Sequence, residues 1–545
     1  MEKRALLAII ISLIILVVYQ QYFAPPAPEP SKEKPAEKAQ SAEPPKEETQ
    51  RGGAIPASPA PPAAVIKTQP GKDVSVDTPL YTAVFDTRGA RLKSWKVKKY
   101  LDKIGEGAKP LDLAATELGA NLPFRLEVQE ANFPYSDAVL YEVNTESLKL
   151  NPQGKGDLIF TWKSPQGVQV SQQITFFGDS YRMDIRLQMT NPTSTAYEGR
   201  PVYAWLGKVP KVSGGGGMAC IPGSGSSSTT VPPFTALVKK ELHEIELNDL
   251  KEEKRFSQNV QWGGFQDTYF LAALIPQKPE GTELIFKKIS DTTGDLFMAG
   301  PKVALAPQTQ HNQVYTMFLG PKDLDVLKAF GSDLDRALDF GWFDIIAKPM
   351  LYVLKFFYQY TGNYGVAIIL LTILIKILFW YPTHISYKSM KEMKKIQPEM
   401  AKLREKFKDN KEKLNKEMMD LYRRYKVNPM SGCLPIAIQI PIFFALYKVL
   451  LYSIGIRHAP FFWWIQDLSA QDPYYISPIL MGASMFIQQW MTPTTGDPTQ
   501  AKMMLIMPVV FTFMFLSFPT GLVIYWLFNN ILSIGQQIYI NKQPT

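Results

Sequence analysis

The sequence predicts a polytopic α-helical membrane protein with six spans, a large antiparallel β-sandwich and a helical hairpin. Three observations support this fold class. Hydrophobic residues make up 46% of the 545 residues and are bunched into long runs, which excludes a purely soluble chain and a wholly disordered one. Between the first and second runs, short segments alternate apolar and polar side chains. Between the second and third runs, a strongly basic segment indicates the orientation of the chain.

Residues 1–23 are predicted to form an uncleaved signal-anchor span. Residues 5–19 are almost wholly apolar, and Lys3 and Arg4 precede them, which places the N-terminus in the cytoplasm. Three prolines follow closely and disfavour signal cleavage. Residues 24–72 are rich in Pro, Ala, Glu and Lys, so they are predicted to be a disordered linker.

Residues 73–330 are predicted to form the β-sandwich. In the clearest strand five apolar side chains point to one face and polar ones to the other. The apolar set is Tyr181, Met183, Ile185, Leu187 and Met189. Similar strands are predicted at 80–85, 157–162, 168–177, 268–275 and 313–319. The Gly-rich segment 213–230 has no Gly-Lys-Ser/Thr after it, so a mobile loop is favoured over a phosphate cradle.

Residues 331–363 are predicted to form an amphipathic interfacial helix. Apolar residues between 334 and 360 follow helical spacing, and Pro349 is expected to divide the segment. A helix that packs on the sandwich is the alternative to one that lies on the membrane surface.

Five further spans complete the predicted membrane part. They are residues 364–382, 429–453, 476–490, 503–518 and 521–540. Several hold apolar runs of about 15 to 17 residues, which at about 1.5 Å per residue extend roughly 25 Å, less than the hydrocarbon thickness of about 30 Å. Spans this short are expected to thin the bilayer around them.

The segment 383–428 is predicted to be a cytoplasmic basic helical hairpin. It holds 14 Lys and Arg against 7 Asp and Glu, so the positive-inside rule places it in the cytoplasm. Both termini are then cytoplasmic, and the β-sandwich is periplasmic. The same scheme makes 454–475 a periplasmic loop, 491–502 a cytoplasmic loop and 541–545 a short cytoplasmic tail.

The apolar positions of the hairpin follow three-four spacing. They are Met390, Met393, Gln397, Met400, Leu403 and Phe407 in one arm, and Leu414, Met418, Leu421 and Tyr425 in the other. A Met-rich seam suits varied apolar partners, and a basic outer face suits RNA phosphate. A hairpin that is merely solvated and charged is the alternative.

The residues that usually signal enzyme chemistry are missing. Cys220 and Cys433 are too few for a disulfide framework or a four-cysteine zinc site. His243 and Glu244 begin a zinc-protease-like string, but Leu247 stands in place of the second histidine. The sequence contains no P-loop and no Gly-x-Ser-x-Gly elbow. We therefore expect no enzyme activity, no catalytic residues, no metal and no cofactor.

Lys376 lies inside an apolar run, five residues before Tyr381, where a lysine costs about 2.5 to 3.5 kcal/mol. Other spans carry polar residues at comparable depth. These are Gln439, Ser484, Gln488, Asn529, Asn530, Ser533 and Gln536. Together with the lysine they predict a polar, water-accessible groove. Snorkelling of the lysine and ordinary interhelical hydrogen bonds are the alternatives.

A set of short strings in the C-terminal half is specific. They are 387–390 (YKSM), 397–398 (QP), 427–429 (VNP), 432–435 (GCLP), 438–443 (IQIPIF), 468–475 (LSAQDPYY), 491–493 (MTP) and 518–522 (FPTGL). Through these strings the chain resembles the YidC family of membrane protein insertases, in its long Gram-negative form. The resemblance implies a five-helix insertase core around a hydrophilic groove that is open to the cytoplasm and to lipid.

The resemblance also implies roles for single residues. The substrate groove would consist of Lys376, Gln439, Gln488, Tyr525, Trp526, Asn529 and Ser533. Contacts on the cytoplasmic hairpin would come from Lys394, Lys395, Met400, Arg404, Arg423 and Arg424. Lys376 stands where the family more commonly has arginine, which keeps the positive charge but not the planar donor fork.

The implied function is a membrane protein insertase and chaperone that helps inner-membrane proteins to insert and fold, alone or with the Sec translocon, without nucleotide hydrolysis. Its partners would be nascent membrane proteins, the Sec translocon and membrane lipids, and less strongly the signal recognition particle receptor or the ribosome. Two other classes stay open: a transporter that moves a small anion past Lys376, and an assembly protein whose β-sandwich binds an envelope component.

Overall fold

The computed structural model describes eight stretches of the chain. They are residues 70–114, 124–208, 233–250, 253–408, 410–425, 427, 434–492 and 498–543. The predicted anchor 1–23, the predicted linker up to residue 69 and the Gly-rich segment 213–230 lie outside these residues. What the sequence predicts for them stays a prediction.

Twenty strands build the β domain within these stretches. In chain order they are β1 (Asp73–Asp77), β2 (Tyr81–Asp86), β3 (Arg91–Leu101), β4 (Pro110–Asp112), β5 (Phe124–Gln129), β6 (Glu142–Val143), β7 (Ser147–Lys149), β8 (Lys155–Lys163), β9 (Gln169–Phe177), β10 (Arg182–Asn191), β11 (Tyr197–Lys208), β12 (Phe234–Val238), β13 (Glu241–Ile245), β14 (Glu253–Phe256), β15 (Val260–Gln266), β16 (Phe270–Pro276), β17 (Glu283–Ser290), β18 (Thr293–Ala299), β19 (Val303–Leu305) and β20 (Thr309–Pro321). The six strands predicted from sequence correspond to β2, β8, β9, β10, β16 and β20.

The strands form two sheets. The first has eleven strands in the order β14-β17-β18-β11-β5-β3-β2-β1-β7, with β4 beside β3 and β19 beside β11. The second has nine strands in the order β13-β12-β15-β16-β20-β10-β9-β8-β6. β10 pairs antiparallel with both β9 and β20, whereas β1 and β7 pair in parallel.

The core of the β domain lies between the two sheets. Met183, Ile185 and Leu187 of β10 are buried, which confirms the alternation predicted from sequence. Phe85 in the first sheet contacts Phe176 in the second, with ring centroids 5.7 Å apart. Contacts of this kind bury large aromatic area and hold the sheets face to face.

Nine α-helices lie in the described part of the chain after the β domain. They are α1 (Leu324–Phe330), α2 (Asp344–Thr361), α3 (Tyr364–Leu378), α4 (Trp380–Lys406), α5 (Lys411–Arg424), α6 (Leu434–Tyr452), α7 (Ile476–Met491), α8 (Pro498–Phe515) and α9 (Thr520–Lys542).

α1 connects the β domain to the other helices. The Asp323 side chain caps α1 by accepting from the backbone N–H groups of Asp325 and Val326. Lys355 of α2 donates to both carboxylate oxygens of Asp323 at 3.0 Å and to Asp325 at 2.7 Å. The start of α1 is therefore tied to the middle of α2.

The amphipathic helix predicted over 331–363 is shorter than expected. Two 3₁₀ turns, Leu334–Ala337 and Gly341–Phe343, precede α2, which begins at Asp344. Pro349 does not divide the segment, because it removes a single hydrogen bond near the start of α2 while the buried face continues on both sides of it. That face consists of Ala347, Met350, Leu351 and Leu354.

The span predicted over 364–382 is wrong as a single helix. α3 ends at Leu378 and α4 begins at Trp380, with a bend of 67° between them. Pro382 explains the break, because it has no N–H to donate to the carbonyl of Leu378 and its ring would clash with that carbonyl. The first arm of the hairpin therefore begins directly after the bend.

Judged by length and composition, α3 and α4 qualify as a candidate membrane crossing when taken together as a bent pair, and no described helix qualifies by itself. Shorter apolar stretches lie at Ala437–Tyr452 and Met504–Phe515. The arrangement of six spans stays a prediction.

The seam of the hairpin differs in part from the predicted one. Its buried core consists of Ile396, Met400, Met418, Leu421 and Tyr422. Tyr425 is 45% exposed, because α5 ends one residue before it. Met390 packs with Tyr387 and Ile540 of α9 instead of with α5. The hairpin is thus attached to α9 at its base.

The predicted boundaries around the fifth span also shift. α8 begins at Pro498, inside the predicted loop 491–502, because proline is favoured at the first position of a helix. It ends at Phe515, before the predicted end at 518, since Pro519 disfavours helical backbone at the residue before it.

Candidate functional site

Lys376 occupies the last turn of α3, in an otherwise apolar helix. Its Nζ donates to Ser533 Oγ of α9 at 2.7 Å. Ser533 Oγ in turn donates to the backbone carbonyl of Asn529 at 2.7 Å. Ser533 is 2% exposed, so the bond is shielded from bulk water. Three of the predicted groove residues therefore form one hydrogen-bonded chain.

No carboxylate pairs with Lys376 among the residues that the structure describes. A serine hydroxyl shares the hydrogen bond without neutralising the charge, and an ammonium group in an apolar surrounding is costly unless water or an anion compensates it. The site therefore offers an uncompensated positive charge at the junction of α3 and α9.

α9 presents a buried polar face. Five of its polar side chains, each at most 4% exposed, follow three-four spacing and so share one side of the helix. They are Asn529, Asn530, Ser533, Gln536 and Gln537. Most helix faces that are buried this deeply are apolar. The polar side chains of this face are shielded from water, so their hydrogen-bond partners must come from neighbouring helices.

This face binds the neighbouring helices. Asn530 Nδ2 donates to Ser484 Oγ of α7 at 3.0 Å. Gln536 Nε2 donates to Thr383 Oγ1 of α4 at 3.0 Å and to the carbonyl of Trp380 at 3.3 Å. α9 is therefore the polar spine to which α3, α4 and α7 attach.

Tyr387 links two predicted groove residues. It lies in α4, is 5% exposed, and its hydroxyl faces both Ser533 and Gln488. Gln488 thus belongs to the same polar region as Lys376, although it is on α7. Tyr387 had been predicted only as part of a family string in the hairpin.

Gln439 and Tyr525 form a second polar position. The Tyr525 side chain is 1% exposed, and its hydroxyl lies beside Gln439 of α6. Neither Tyr525 Oη nor Gln439 Nε2 has a hydrogen-bond partner of good geometry in the described residues. Most buried polar groups have a hydrogen-bond partner, so this position can accept a further polar group.

Trp526 lies about two helical turns before Ser533 on α9, among aromatic rings. Its ring centroid is 4.9 Å from that of Phe443 and 5.4 Å from that of Phe515. The structure therefore separates Trp526 from Lys376 and places it in an apolar aromatic cluster that joins α6, α8 and α9.

The predicted hairpin contacts have different surroundings. Lys394, Lys395, Arg423 and Arg424 are exposed, and Lys395 and Arg423 form weak surface pairs with Glu392 and Asp420. Met400 is 2% exposed and packs inside the hairpin, which corrects its prediction as a contact residue. Arg404 is partly buried.

Sequence reasoning missed Thr383 and Tyr387 as parts of the polar region. They are four residues apart and so lie on one face of α4. The bend after α3 turns this face toward α9, and that bend was not predicted.

Within the described residues, no group of three or more His, Cys, Asp or Glu is placed to hold a metal ion.

Two family models match the chain. The one described as 60Kd inner membrane protein covers residues 356–545, and the one described as YidC periplasmic domain covers residues 73–353. The division falls within α2, between the β domain and the helical part. These matches define the class: an inner-membrane protein with a periplasmic β-rich domain and a helical C-terminal region.

Several curated relatives span nearly the whole chain. The membrane protein insertase YidC of Syntrophus aciditrophicus is 43% identical over 100% of both chains. That of Geotalea daltonii is 42% identical over 99% of both chains. That of Geobacter sulfurreducens is 42% identical over 99% of this chain and 98% of its own. The chain belongs to the YidC family of membrane protein insertases.

Solved structures resemble the chain more distantly. A crystal structure of an active YidC insertase with its first transmembrane domain resolved is 18% identical, covers 86% of this chain and 94% of its own, and has a TM-score of 0.36. A galactose mutarotase-like protein from Lactobacillus casei is 9% identical, covers 46% of this chain and 100% of its own, and has a TM-score of 0.33. The family assignment rests on the sequence relatives.

Proposed function

We propose that this insertase works through a hydrophilic groove in which Lys376 is the attracting charge for the polar tail of a nascent membrane protein. The observation that supports this most directly is the Lys376–Ser533 hydrogen bond, in which a cation has a neutral partner and no carboxylate among the described residues. An acidic or polar tail would supply the missing compensation.

The second half of the mechanism is release into lipid. The apolar segment of the substrate would move past the aromatic cluster around Trp526, while its tail is held by Lys376 and the polar face of α9. Burial of apolar surface contributes about 0.8 kcal/mol per CH₂, so a substrate helix of ordinary length supplies ample driving force. No nucleotide hydrolysis is needed for a step driven in this way.

The orientation proposed for the protein follows from the charges in the sequence. The hairpin of α4 and α5 would face the cytoplasm with both termini, the β domain would face the periplasm, and six spans would cross the inner membrane. The exposed Lys394, Lys395, Arg423 and Arg424 would then be available to the Sec translocon or to anionic lipid headgroups.

Reconstitution in liposomes tests the role of the charge. The substrate is a short single-span protein with either an acidic tail or the same tail with Asn and Gln in place of Asp and Glu. Lys376→Arg should preserve insertion of both substrates. Lys376→Glu should impair the acidic-tailed substrate by roughly tenfold or more, since attraction becomes repulsion.

Lys448 offers a matched control, because it is also a partly buried lysine in an apolar helix, α6. Lys448→Glu should affect both substrates equally. Equal insertion of the two substrates by Lys376→Glu would contradict the electrostatic role, whereas a loss confined to the acidic-tailed substrate in the Lys448 variant alone would move the attracting charge to α6.

A further inference from the structure

A cleft of about 560 Å³ lies on the outer face of the nine-stranded sheet. β9, β10, β16 and β20 form its floor, and the end of α1 forms one wall. The side chains in its floor are the polar set of β10, which alternates with the buried Met183 and Ile185. Its volume is in the range of sites that bind small molecules or short peptides.

The charges in this cleft do not cancel. Arg182 donates to both oxygens of Asp184, at 2.8 and 2.9 Å, and Thr316 donates to Asp184 at 2.8 Å. Asp184 is therefore fully engaged. Arg186 is exposed and has neither a hydrogen-bond nor an ion-pair partner in the described part of the chain. One guanidinium group is left free to bind a ligand.

The wall of the cleft has a defined shape. Phe330 ends α1 and packs edge-on against Phe318 of β20, with ring centroids 5.2 Å apart. The next three residues, Gly331, Ser332 and Asp333, have φ values of 86°, 55° and 54°. Two successive non-glycine residues in the left-handed region are uncommon, and they turn the chain sharply so that Phe330 and Ser332 both face the cleft.

The free charge selects the class of ligand. A single guanidinium forms a planar pair of hydrogen bonds with a carboxylate, whereas a phosphate dianion would leave one of its two charges uncompensated here. Phe330 and Ile275 add apolar surface beside the charge. An extended polypeptide with an acidic and an apolar side chain two residues apart meets both features, because alternate side chains share one face.

We propose that this cleft binds an extended polypeptide segment through a carboxylate held by Arg186 and an apolar side chain packed on Phe330. The site is on the β domain and uses none of the groove residues, so it is a second polypeptide site, beyond the function proposed for Lys376.

The test is calorimetric titration of the full-length protein in lipid nanodiscs. The probe is a blocked pentapeptide, Gly-Phe-Ser-Glu-Gly, in which Phe and Glu share one face of an extended chain, compared with the same peptide carrying Gln in place of Glu. The Glu peptide should bind the wild type at least tenfold more tightly than the Gln peptide, and Arg186→Gln should abolish this difference by weakening only the Glu peptide. Arg186 is exposed, so the substitution leaves the fold intact.

Lys163→Gln is the matched control. Lys163 pairs with Gln169, four residues along β9 from the Gln173 that pairs with Arg186, so it is an exposed cation on the same sheet outside the cleft. The Lys163→Gln variant should bind both peptides as tightly as the wild type does. The difference between the Glu and Gln peptides should persist in a Lys376→Gln background, in which the groove no longer attracts a carboxylate, and this separates the site from the groove.

Two results would overturn the proposal. Equal affinity of the wild type for the Glu and Gln peptides would remove the carboxylate from the recognition. Binding of inorganic phosphate or maltose that depends on Arg186, without binding of the Glu peptide, would assign the cleft to another class of ligand.

Discussion

The ammonium group of Lys376 and the hydroxyl of Ser533 are 2.7 Å apart, and this hydrogen bond joins the helix before the bend to the polar face of α9. Ser533 is already committed to donate to Asn529 O. It therefore accepts from the lysine, which fixes the direction of the bond and the position of the charge.

Ser533→Ala should destabilise the helical part by about 1 to 2 kcal/mol, because Lys376 loses its acceptor in a shielded position. Thermal unfolding in detergent, followed by tryptophan fluorescence, measures the change. Ser517→Ala is the control, since Ser517 is exposed and donates only within its own turn, to Met514 O. Equal effects of the two substitutions would contradict a special role for Ser533.

The Asn530–Ser484 hydrogen bond should couple α9 to α7. Asn530→Ala and Ser484→Ala are expected to be less than additive, with a coupling of about 0.6 kcal/mol and at most about 1.7 kcal/mol, the range found between membrane helices. A double-mutant cycle on unfolding free energies in detergent gives the value. A coupling of zero would mean that each side chain finds another partner.

Asp472→Ala should loosen the start of α7. The carboxylate accepts from Ser477 N and Oγ at 2.8 and 2.6 Å, from Tyr474 N at 3.0 Å and from Trp464 Nε1 at 3.1 Å. Loss of these bonds is expected to cost roughly 3 kcal/mol. Hydrogen exchange of the α7 amides reports it, with Glu280→Gln, an exposed carboxylate of the β domain, as the control.

The same carboxylate predicts a pH dependence. Burial alone would raise the pKa of Asp472, but the hydrogen bonds from Ser477, Tyr474 and Trp464 outweigh it and lower the pKa below the usual 3.8. The pKa of Asp472 is lower in the folded chain than in the unfolded chain. The ionised carboxylate therefore stabilises the fold above about pH 3.8, and this stabilisation is lost as the pH falls through the folded-state pKa. Hydrogen exchange on both sides of that pH should differ at α7.

Lys322 predicts a pH dependence of the same sign at alkaline pH, in the β domain. Burial lowers the pKa of Lys322 to about 8, although Glu244, Asp267 and Asp339 oppose the shift. The unfolded chain therefore binds more protons between about pH 8 and 10.5, so stability should rise with pH across that window, by at most about 3 kcal/mol. Below pH 8 Lys322 does not change the free energy of unfolding with pH, because it is protonated in both the folded and the unfolded chain.

Lys322→Met isolates this contribution. The free energy of unfolding of the wild type, measured with a chemical denaturant, should increase from pH 8 to 10. In the variant this increase should be smaller by the contribution of Lys322. Lys278→Met, at an exposed lysine, should keep the wild-type slope. A variant at residue 322 with an unchanged slope would assign the titration to another group.

Met400→Ala should lower the free energy of unfolding of the hairpin by about 2 to 4 kcal/mol, because it leaves a cavity between α4 and α5. Met419 is one position from the buried Met418 but is 49% exposed, so Met419→Ala should change stability little. Limited proteolysis of the hairpin compares them. Similar cleavage rates would place Met400 at the surface.

The alternation in β10 and the apolar runs predicted much of the fold, because burial imposes a period of two on strands and a continuous apolar surface on these helices. The strands from β11 to β15 and from β17 to β19 were not predicted. Many of their residues are buried on both sides, as in the five buried residues of β12, and such strands lack the alternation that sequence reasoning looks for.

The candidate site was predicted only in part. Lys376 and Ser533 stood out because a charge and a hydroxyl are rare in apolar helices. Thr383 and Tyr387 did not, because they follow Pro382 in a segment dominated by lysines, and only the bend brings them to α9. For Met400 the three-four spacing placed the side chain in the seam, where the structure has it, and only the family resemblance made it a contact residue.

A single residue, Phe379, separates the helix that carries Lys376 from the helix that begins the hairpin. Beyond this joint, α4 is held to α9 twice: by Gln536 at Trp380 and Thr383, and again by Lys391, which donates to the carbonyl of Ile540. The base of the hairpin is thus fixed to α9 at two places. These attachment points lie within about two helical turns of Ser533, so a displacement of the hairpin would act on the part of α9 next to the acceptor of the ammonium group.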